Sequence, residues 1–314
     1  MVVLGAGVIG LTTAITLAEQ GRRVLVHTAE PPEATTSAAA GALWGPWQAK
    51  PHNRVLAWAR HTLDALTALA SEPGTGVRMA SGKDISTRHH QPPDWFDLLP
   101  NTRPCTPDEL PSGYTHGVHY TAPLVDMPVH LNYLARRLHA ANGTIAIKPV
   151  ATLHEAAMLA PIVLNCTGLG ARTLVDDNTL RPIRGQHLVT TNPGITEFTE
   201  VDTGDSPDLI AIYPHSDHLV LGGTAQPGSW ERQPSLETAE AILARCTALD
   251  TRLRAVDIIE HRVGLRPTRD EVRLEERPGP GGGRVIHNYG HGGAGVSLAW
   301  GCANDAATLI DTPG

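Results

Sequence analysis

The sequence predicts an α/β fold in which a domain with a parallel sheet is interleaved with a second, α+β domain built on a mixed sheet. Three observations predict it. An apolar strand at residues 1–4 turns through a glycine-rich loop into an alanine-rich helix without early charges. Apolar runs at 144–147 and 161–168 are typical of further buried strands. Residues 186–262 alternate strand patterns around one amphipathic helix, before residues 263–314 return to glycine turns and a final helix.

The glycine-rich loop has the Gly-x-Gly-x-x-Gly spacing of dinucleotide-binding sites in Rossmann-like domains. Gly5 permits a tight turn, Gly7 lets a pyrophosphate approach the backbone, and Gly10 lets the helix pack closely on the strand. The phosphates would lie at the helix N-terminus, where free N–H groups and the macrodipole favour negative charge. A glycine turn without a ligand is the alternative. The predicted loop comprises Gly5, Ala6, Gly7, Val8, Ile9 and Gly10.

The adenosine ribose of a dinucleotide is usually bound by an acidic residue after the second strand. Residues 23–27 are predicted to form that strand, but no carboxylate follows it directly. Glu30 lies at about the expected spacing of ~20 residues from the last glycine, although Pro31 and Pro32 place it in a loop. Thr28 or the backbone is the alternative ligand, and Glu30 would then be a solvated surface residue.

Composition and charge exclude several classes of protein. The 314 residues exceed one average domain, and a hydrophobic fraction of 41% with 18% charged residues is that of an ordinary globular protein. A formal net charge of −7 without a Lys/Arg run argues against nucleic acid or anionic lipid as the main partner. The sequence contains no apolar run of about 18 residues, so no membrane span is predicted. The glycine loop also follows Met1 too closely for a signal peptide.

Cysteine and histidine spacing predicts no metal site. The chain has no Cys-x-x-Cys, His-x-x-x-His or His-Glu-x-x-His pattern among its 4 cysteines and 16 histidines. The cysteines are therefore predicted to be free thiols in a reducing cytoplasm. His89 and His90, followed by Gln91, are typical of a polar loop. The cysteines are Cys105, Cys166, Cys246 and Cys302.

Helical periodicity and the return of glycine turns divide the chain. Helices are predicted over residues 126–142, 235–249 and 296–310. No internal repeat is present. The predicted nucleotide-binding domain comprises residues 1–48, 130–185 and 263–314, and the predicted substrate domain comprises residues 49–129 and 186–262.

Four further segments make the chain similar to a known family. They are residues 165–171 (NCTGLGA), 182–186 (PIRGQ), 264–267 (GLRP) and 287–297 (HNYGHGGAGVS). With the glycine loop, they have the order and spacing found in D-amino-acid oxidases, and the whole chain resembles that family. The resemblance implies an FAD-binding Rossmann domain and hydride transfer from the α-carbon of a D-amino acid to flavin N5. No general base is then needed, because orientation alone directs the α-hydrogen.

The resemblance implies two substrate anchors. A guanidinium offers two parallel donors that match a carboxylate, which defines both distance and plane. Arg266 matches the family arginine that binds the substrate α-carboxylate; a structural salt bridge is the alternative role. The carbonyl of Gly293 matches the family acceptor for the substrate amino group. Arg266 and Gly293 are therefore the predicted catalytic residues, and both also lie among the predicted cofactor contacts.

The same resemblance implies the remaining cofactor contacts. Backbone N–H groups at the start of the last helix match those that face the flavin edge where negative charge develops on reduction. A small-residue segment matches the contacts to flavin N5, and two threonines match the contacts to pyrophosphate and ribose. Val150 and Thr167 match contacts on the adenine side. The predicted contacts are Gly292, Gly293, Gly295, Val296, Ser297, Thr35, Thr36, Ser37, Ala40, Gly41, Ala42, Leu43, Val150, Thr167 and Gly168.

Departures from the family pattern concern the substrate pocket. A tyrosine that family members commonly carry is Ala211 here, and the glutamine that often follows Leu-Trp is Gly45. Tyr213 shares a strand face with Ala211 by alternation, so it is the candidate replacement for the missing hydroxyl. Family members often carry a tyrosine in the glycine turn before the last helix, and this chain has Ala294 there. The side-chain pocket is therefore expected to be larger or differently shaped than usual.

The sequence predicts an FAD-dependent oxidase that converts D-amino acids to imino acids, hydrolysed to 2-oxo acids and ammonia, while O2 becomes H2O2. A D-aspartate oxidase is one alternative, which would need a second cation such as His215 or His218 near the substrate side chain. An NAD-dependent dehydrogenase and a non-catalytic flavin-binding module are the others. The expected partners are a D-amino acid and O2, with neither nucleic acid nor membrane, and a homodimer is possible.

Overall fold

A computed structural model describes residues 1–88, 92–204 and 206–312. The predicted polar loop at His89, His90 and Gln91 lies outside the described residues. The strands are β1 (Val2–Leu4), β2 (Leu25–Thr28), β3 (Val77–Ser86), β4 (Arg103–Pro104), β5 (His116–Val125), β6 (Thr144–Ile147), β7 (Ile162–Asn165), β8 (Arg181–Thr191), β9 (Phe198–Val201), β10 (Asp208–Pro214), β11 (His218–Thr224), β12 (Gln226–Pro227), β13 (Ile258–Pro278) and β14 (Arg284–His291).

The helices follow the predicted periodicity closely, and each of the three helices predicted above is present within two residues of its expected bounds. Helix ends commonly vary by one or two residues, so these differences carry no further meaning. The helices are α1 (Val8–Glu19), α2 (His52–Leu69), α3 (Met127–Ala140), α4 (Leu153–Leu159), α5 (Ala171–Leu174), α6 (Leu236–Leu249) and α7 (Gly295–Asp311).

One end of the sheet is parallel and forms the nucleotide-binding half. β14, β7, β1, β2 and β6 lie side by side in that order, and each neighbouring pair is parallel. β1 is buried along its whole length, as expected for a central strand covered on both faces. Ligands of such sheets bind outside the carboxyl ends of the strands, and the glycine loop directly follows the carboxyl end of β1.

The other end of the sheet is mixed. The order continues from β13 through β8, β11, β10, β9, β3, β5 and β4. Most neighbours are antiparallel, but β3 and β9 are parallel. The predicted combination of a Rossmann-like parallel sheet with a mixed sheet is therefore confirmed. The predicted division of the chain into two domains at the stated residues remains a prediction.

β13 connects the two halves. Its first part pairs with β8 from Ile258 to Thr268, and its second part pairs with β14 from Thr268 to Pro278. Both ladders are antiparallel. The strand crosses from the mixed half into the parallel half without interruption, so the backbone carries Arg266 to the boundary between them.

Helices α2 and α7 cross at a glycine. A β-carbon built on Gly301 would lie 2.4 Å from the Trp58 α-carbon, so the two backbones touch where any other residue would separate them. The hydroxyl of Thr62 accepts a hydrogen bond from the Gly301 N–H at 3.0 Å, and the Trp58 indole donates to Asp305 at 2.7 Å. This contact fastens α7 against the protein interior, which positions its N-terminus.

Two further findings concern membrane-spanning helices and the state of the cysteines. Among the described residues, no helix has both the length and the apolar character required to cross a bilayer. The cysteines are free thiols: Cys166, Cys246 and Cys302 are buried, and Cys105 is half-buried.

Candidate active site

A single elongated cavity of about 1270 Å³ runs from the glycine loop to the mixed half of the sheet. This volume exceeds the ~300–1,000 Å³ of common small-ligand pockets, as expected for a site that takes a dinucleotide and a substrate together. Every predicted site residue except Gly10 lines it. Gly10 lies beneath, where a β-carbon would come 2.0 Å from the Gly5 carbonyl oxygen, so its role is the predicted close packing of helix on strand.

The glycine loop fits a dinucleotide cradle. Gly5 has a φ of +101°, and a β-carbon there would lie 2.5 Å from the Cys166 carbonyl oxygen, so only glycine fits this turn. A β-carbon on Gly7 would point to the cavity side, 3.0 Å from the Ser37 hydroxyl oxygen. That hydroxyl accepts a hydrogen bond from the Val8 N–H at 3.0 Å. Gly7 and the start of α1 both line the cavity, so a pyrophosphate can approach the backbone here.

The two predicted ribose ligands, Glu30 and Thr28, both line the cavity. The Glu30 carboxylate accepts a hydrogen bond from Arg232 at 2.6 Å, and both residues line the cavity. The Thr28 hydroxyl donates to the Glu30 carbonyl oxygen at 2.7 Å, which shapes the turn between them. Glu30 is thus an ion-paired residue at the cavity rim rather than a freely solvated one. Its contact with a ribose stays a prediction.

The small-residue segment at residues 40–43, whose residues are all predicted contacts, lines the cavity. Gly41 is required here, because a β-carbon would lie 2.7 Å from the Tyr213 ring. Ala42 has a φ of +57°, and its carbonyl oxygen accepts a hydrogen bond from the Val125 N–H at 3.1 Å.

Arg266 lies in the middle of the cavity. Its Nη1 donates a hydrogen bond to the Thr224 carbonyl oxygen at 3.0 Å. A β-carbon built on Gly293 would lie 3.5 Å from Cδ of Arg266, so the two predicted anchors are neighbours. Burial lowers the pKa of the guanidinium. Within the described part of the chain, no carboxylate forms an ion pair with Arg266, and the structural salt bridge considered above is absent.

Two other arginines, Arg184 in the PIRGQ segment and Arg269 just after Arg266, are engaged elsewhere. Arg184 is buried outside the cavity lining and donates to four acceptors, including Gln226 and Gln186 at 2.9 Å each. Arg269 lines the cavity but forms an ion pair with Asp177 at 3.0 Å. Arg266 is therefore the better placed of the three for an added carboxylate.

The three residues predicted from family departures, Ala211, Tyr213 and Gly45, all line the cavity. Ala211 and Tyr213 alternate along β10 and face the same side, as expected. Gly45 donates its N–H to the Ser297 hydroxyl at 3.0 Å and accepts a bond back from it at 3.1 Å. This exchange ties the small-residue segment to the start of α7. The Tyr213 hydroxyl donates to Glu200, so it is already occupied.

The cavity is also lined by ionisable residues that the sequence did not predict, among them Asp84, Glu200 and His187. Glu200 accepts hydrogen bonds from the hydroxyls of Tyr213 and Tyr120, the latter at 3.0 Å. Burial, followed by the neighbouring Glu200 charge, raises the pKa of Asp84 well above its usual range. No local motif marks these residues, because only strand pairing brings them together.

His187 lies between the small-residue segment and the mixed sheet. Its Nδ1 is 3.0 Å from the Ala39 carbonyl oxygen, and that contact makes Nδ1 the protonated nitrogen. Burial, followed by the charge of Arg266, lowers the pKa of His187 to about 4. The imidazole is therefore neutral at physiological pH and leaves Arg266 as the cationic group in this part of the cavity.

His215 and His218 lie at the hairpin between β10 and β11, outside the cavity lining. They therefore do not supply the second cation that a D-aspartate oxidase would need at the substrate side chain. Their rings stack with centroids 4.8 Å apart. With Asp126 they bring three potential ligand atoms within 4.8 Å, a grouping that the cysteine and histidine spacing did not predict.

Comparisons with known proteins agree with this architecture. The family model described as DAO, FAD dependent oxidoreductase, matches residues 1–309. A D-amino-acid oxidase from Rubrobacter xylanophilus is 47% identical over 309 residues, covering 98% of this chain and 94% of the relative. A human D-aspartate oxidase is 36% identical over 322 residues, covering 98% of this chain and 93% of the relative.

A solved structure extends the likeness to the fold. Glycine oxidase from Geobacillus kaustophilus superposes with a TM-score of 0.82 at 19% identity, covering 99% of this chain and 94% of the other. At that identity the likeness concerns the fold alone. Because the family model spans the nucleotide-binding loop, the Arg266 segment and the start of α7, the chain belongs to the DAO family of FAD dependent oxidoreductases.

Proposed function

We propose that this protein oxidises D-amino acids with FAD as cofactor and O2 as electron acceptor. The observation that carries the proposal is Arg266: a half-buried guanidinium that lines the cavity beside Gly293 and lacks a carboxylate partner among the described residues. A cation withdrawn from water without an anion is costly unless a ligand supplies the missing charge. The names of the relatives support an amino acid as that ligand.

The residues present fit FAD. The glycine loop and the start of α1 would hold the pyrophosphate, and Thr28, Glu30 and Val150 would surround the adenosine. The segment from Ala40 to Leu43 and the start of α7 would surround the isoalloxazine ring. When bound, FAD supplies the hydride acceptor for the reaction. The N–H groups at the start of α7 would stabilise negative charge on the ring through the helix dipole.

The chain's own contribution is orientation. Arg266 would bind the substrate carboxylate in a bidentate pair, and the Gly293 carbonyl oxygen would accept a hydrogen bond from the amino group. Two anchors and one open face allow a single enantiomer to direct its α-hydrogen at the cofactor. No side chain is required to remove a proton from the α-carbon, so the rate depends on how well these anchors hold the substrate.

Anaerobic reduction of the bound cofactor tests the proposal. The purified protein should be yellow, which separates it from an NAD-dependent dehydrogenase. Mixing with a panel of D-amino acids should bleach the absorbance, and the L-isomers should do so at least 10²-fold more slowly. Admission of air should then restore the colour with formation of H2O2. Equal rates for both enantiomers would refute the geometry, and no bleaching by any amino acid would support a non-catalytic flavin-binding module.

D-Aspartate is the less favoured substrate. The human relative is named for it, but Glu200, which accepts the Tyr213 hydroxyl, and its neighbour Asp84 line the cavity and would face a second carboxylate there. Like charges at short range in a buried site repel strongly. We therefore expect D-aspartate to be among the slowest substrates in the panel.

Two further properties remain proposals. Free thiols at all four cysteines support a reducing compartment, in keeping with the cytoplasm that the sequence predicts. A homodimer is a prediction that sedimentation of the purified protein would test directly.

A further inference from the structure

The far end of the cavity contains a row of residues that crosses the mixed sheet. Strand register places Asp84 beside Glu200, Glu200 beside Ala211, Ala211 beside Gly222, and Gly222 beside His187. Residues paired directly across neighbouring strands point to the same face of a sheet. All five line the cavity. The row therefore has carboxyl groups at one end and the Arg266 region at the other.

The middle of this row consists of small residues. Ala211 carries only a methyl group and Gly222 carries no side chain, so a ligand that passes here meets backbone, the Ala211 methyl group and the His187 ring, which would lie 3.2 Å from a β-carbon on Gly222. The guanidinium of Arg266 reaches the carbonyl of Thr224 on β11, so its head lies over that part of the sheet. β11 and β9 are two strand spacings apart, about 10 Å at ~4.8 Å per strand. The gap suits an extended side chain that runs from Arg266 toward Glu200.

The carboxyl end of the row has unused acceptor capacity. Glu200 receives hydrogen bonds from the hydroxyls of Tyr120 and Tyr213. Asp84 is 6% exposed, and its Oδ1 has no hydrogen-bond partner among the described residues. Among the described residues, no lysine, arginine or histidine forms an ion pair with Asp84 or Glu200. A network that served the fold alone would satisfy a buried oxygen of this kind.

We propose that this end of the cavity binds the cationic side chain of a basic D-amino acid, such as D-lysine, D-ornithine or D-arginine, through Glu200 and Asp84. The inference rests on the proposed function, because it assumes that Arg266 holds the α-carboxylate. An ammonium or guanidinium there would form an ion pair with these carboxyl groups and donate hydrogen bonds to their unpaired oxygens. The long apolar stem of these side chains would lie over Ala211 and Gly222.

Substrate pairs of matched shape test the proposal. D-Lysine and D-norleucine share a four-carbon chain, and they differ in the terminal ammonium group. Anaerobic reduction should give a dissociation constant at least 10-fold lower for D-lysine than for D-norleucine. In Glu200→Gln the advantage should fall to within about 2-fold; both substrates are measured in the same variant, so a general loss of activity cancels in their ratio. Asp84→Asn should reduce the same advantage in part.

A binding measurement gives an independent readout. 6-Aminohexanoate carries a carboxylate and a terminal ammonium but no α-amino group, so it cannot be oxidised. It should perturb the flavin absorbance and bind at least 10-fold more tightly than hexanoate, and Glu200→Gln should remove the difference. Glu197→Gln is the matched control, because Glu197 lies three residues away, is 56% exposed at its side chain and does not line the cavity.

The outcomes separate the two proposals. If D-norleucine and D-lysine bind equally and Glu200→Gln leaves their ratio unchanged, the basic side-chain site is overturned while D-amino-acid oxidation stands. If no D-amino acid bleaches the flavin, the proposed function itself fails. Should Glu200→Gln prove insoluble, Asp84→Asn together with the 6-aminohexanoate and hexanoate pair decides the question alone.

Discussion

The guanidinium of Arg266 lies directly against the backbone of Gly185. A β-carbon built on Gly185 would come 2.5 Å from Nη1 and 2.6 Å from Nη2. The two residues occupy neighbouring strands, since Gly185 pairs with Gly264 and Arg266 pairs with Ile183. The missing side chain at 185 therefore determines where the charged head of Arg266 can lie, and the PIRGQ segment acts through this contact.

Gly185→Ala should displace Arg266 without unfolding the protein. The atoms that a new methyl group would meet belong to the end of a flexible side chain, which can move. A shift of about 1 Å in an orienting group can cost about 10²-fold in rate. We expect kcat/KM for a good D-substrate to fall by that order while the flavin stays bound. Unchanged kinetics would mean that Arg266 does not set the substrate position.

Arg266→Lys and Arg266→Ala should lose most of the substrate orientation. Loss of a bidentate, charge-assisted pair in a shielded site costs about 3–5 kcal/mol, or about two to four decades in kcat/KM. Lysine should rescue poorly, because a point charge defines distance but not plane. The measurement is anaerobic flavin reduction, with Arg252→Lys on the surface as the control. Near-normal reduction in Arg266→Ala would show that another cation binds the substrate carboxylate.

Gly7→Val should give colourless protein. The backbone at Gly7 is extended, with φ −72° and ψ −179°, so a branched residue can adopt it without strain. Its side chain would nevertheless enter the space beside Ser37 where the pyrophosphate is expected. The flavin-to-protein ratio from absorbance measures the effect, and circular dichroism should show retained helix. Full flavin content in this variant would rule out the proposed cradle.

Asp84→Asn should stabilise the substrate-free protein at alkaline pH. Burial and the Glu200 charge raise the pKa of Asp84 in the folded state, whereas the unfolded value is about 3.9. The folded state therefore binds this proton more tightly, and the associated stability is present below pH ~4 and is lost as pH rises through the folded pKa. The variant should melt above wild type at pH 8, and the two should converge near pH 4. Parallel Tm profiles across this range would show that Asp84 is not perturbed.

Local patterns in the sequence predicted the elements that depend on neighbouring residues. The strand–glycine–helix unit at the start of the chain and the bounds of α3, α6 and α7 follow from apolar periodicity, and all are present. Arg266 and Gly293 could be identified because they lie within short motifs that resemble a known family. Their adjacency in the cavity agrees with the roles predicted for them.

The acidic end of the cavity could not be predicted in this way. Asp84 and Glu200 are far apart in the chain and meet only because β3 pairs with β9 in parallel. Such register depends on the packing of the whole sheet and leaves no local spacing to recognise. The environment of Glu30 was ambiguous for a similar reason, because its partner Arg232 lies about two thirds of the chain away.

The uninterrupted course of β13 has a mechanical consequence. Thr268 pairs with both β8 and β14, so a bend of the strand at this residue would break pairing in one of the two ladders, whereas the register with β14 shifts between Thr268 and Arg273. Rigid-body opening of one half of the molecule against the other is thereby opposed, and substrate exchange has to rely on smaller movements of loops at the cavity mouth. The same continuity favours cooperative unfolding of both halves on heating. Cleavage of the backbone within 258–278 should therefore abolish folding rather than release two independently folded fragments.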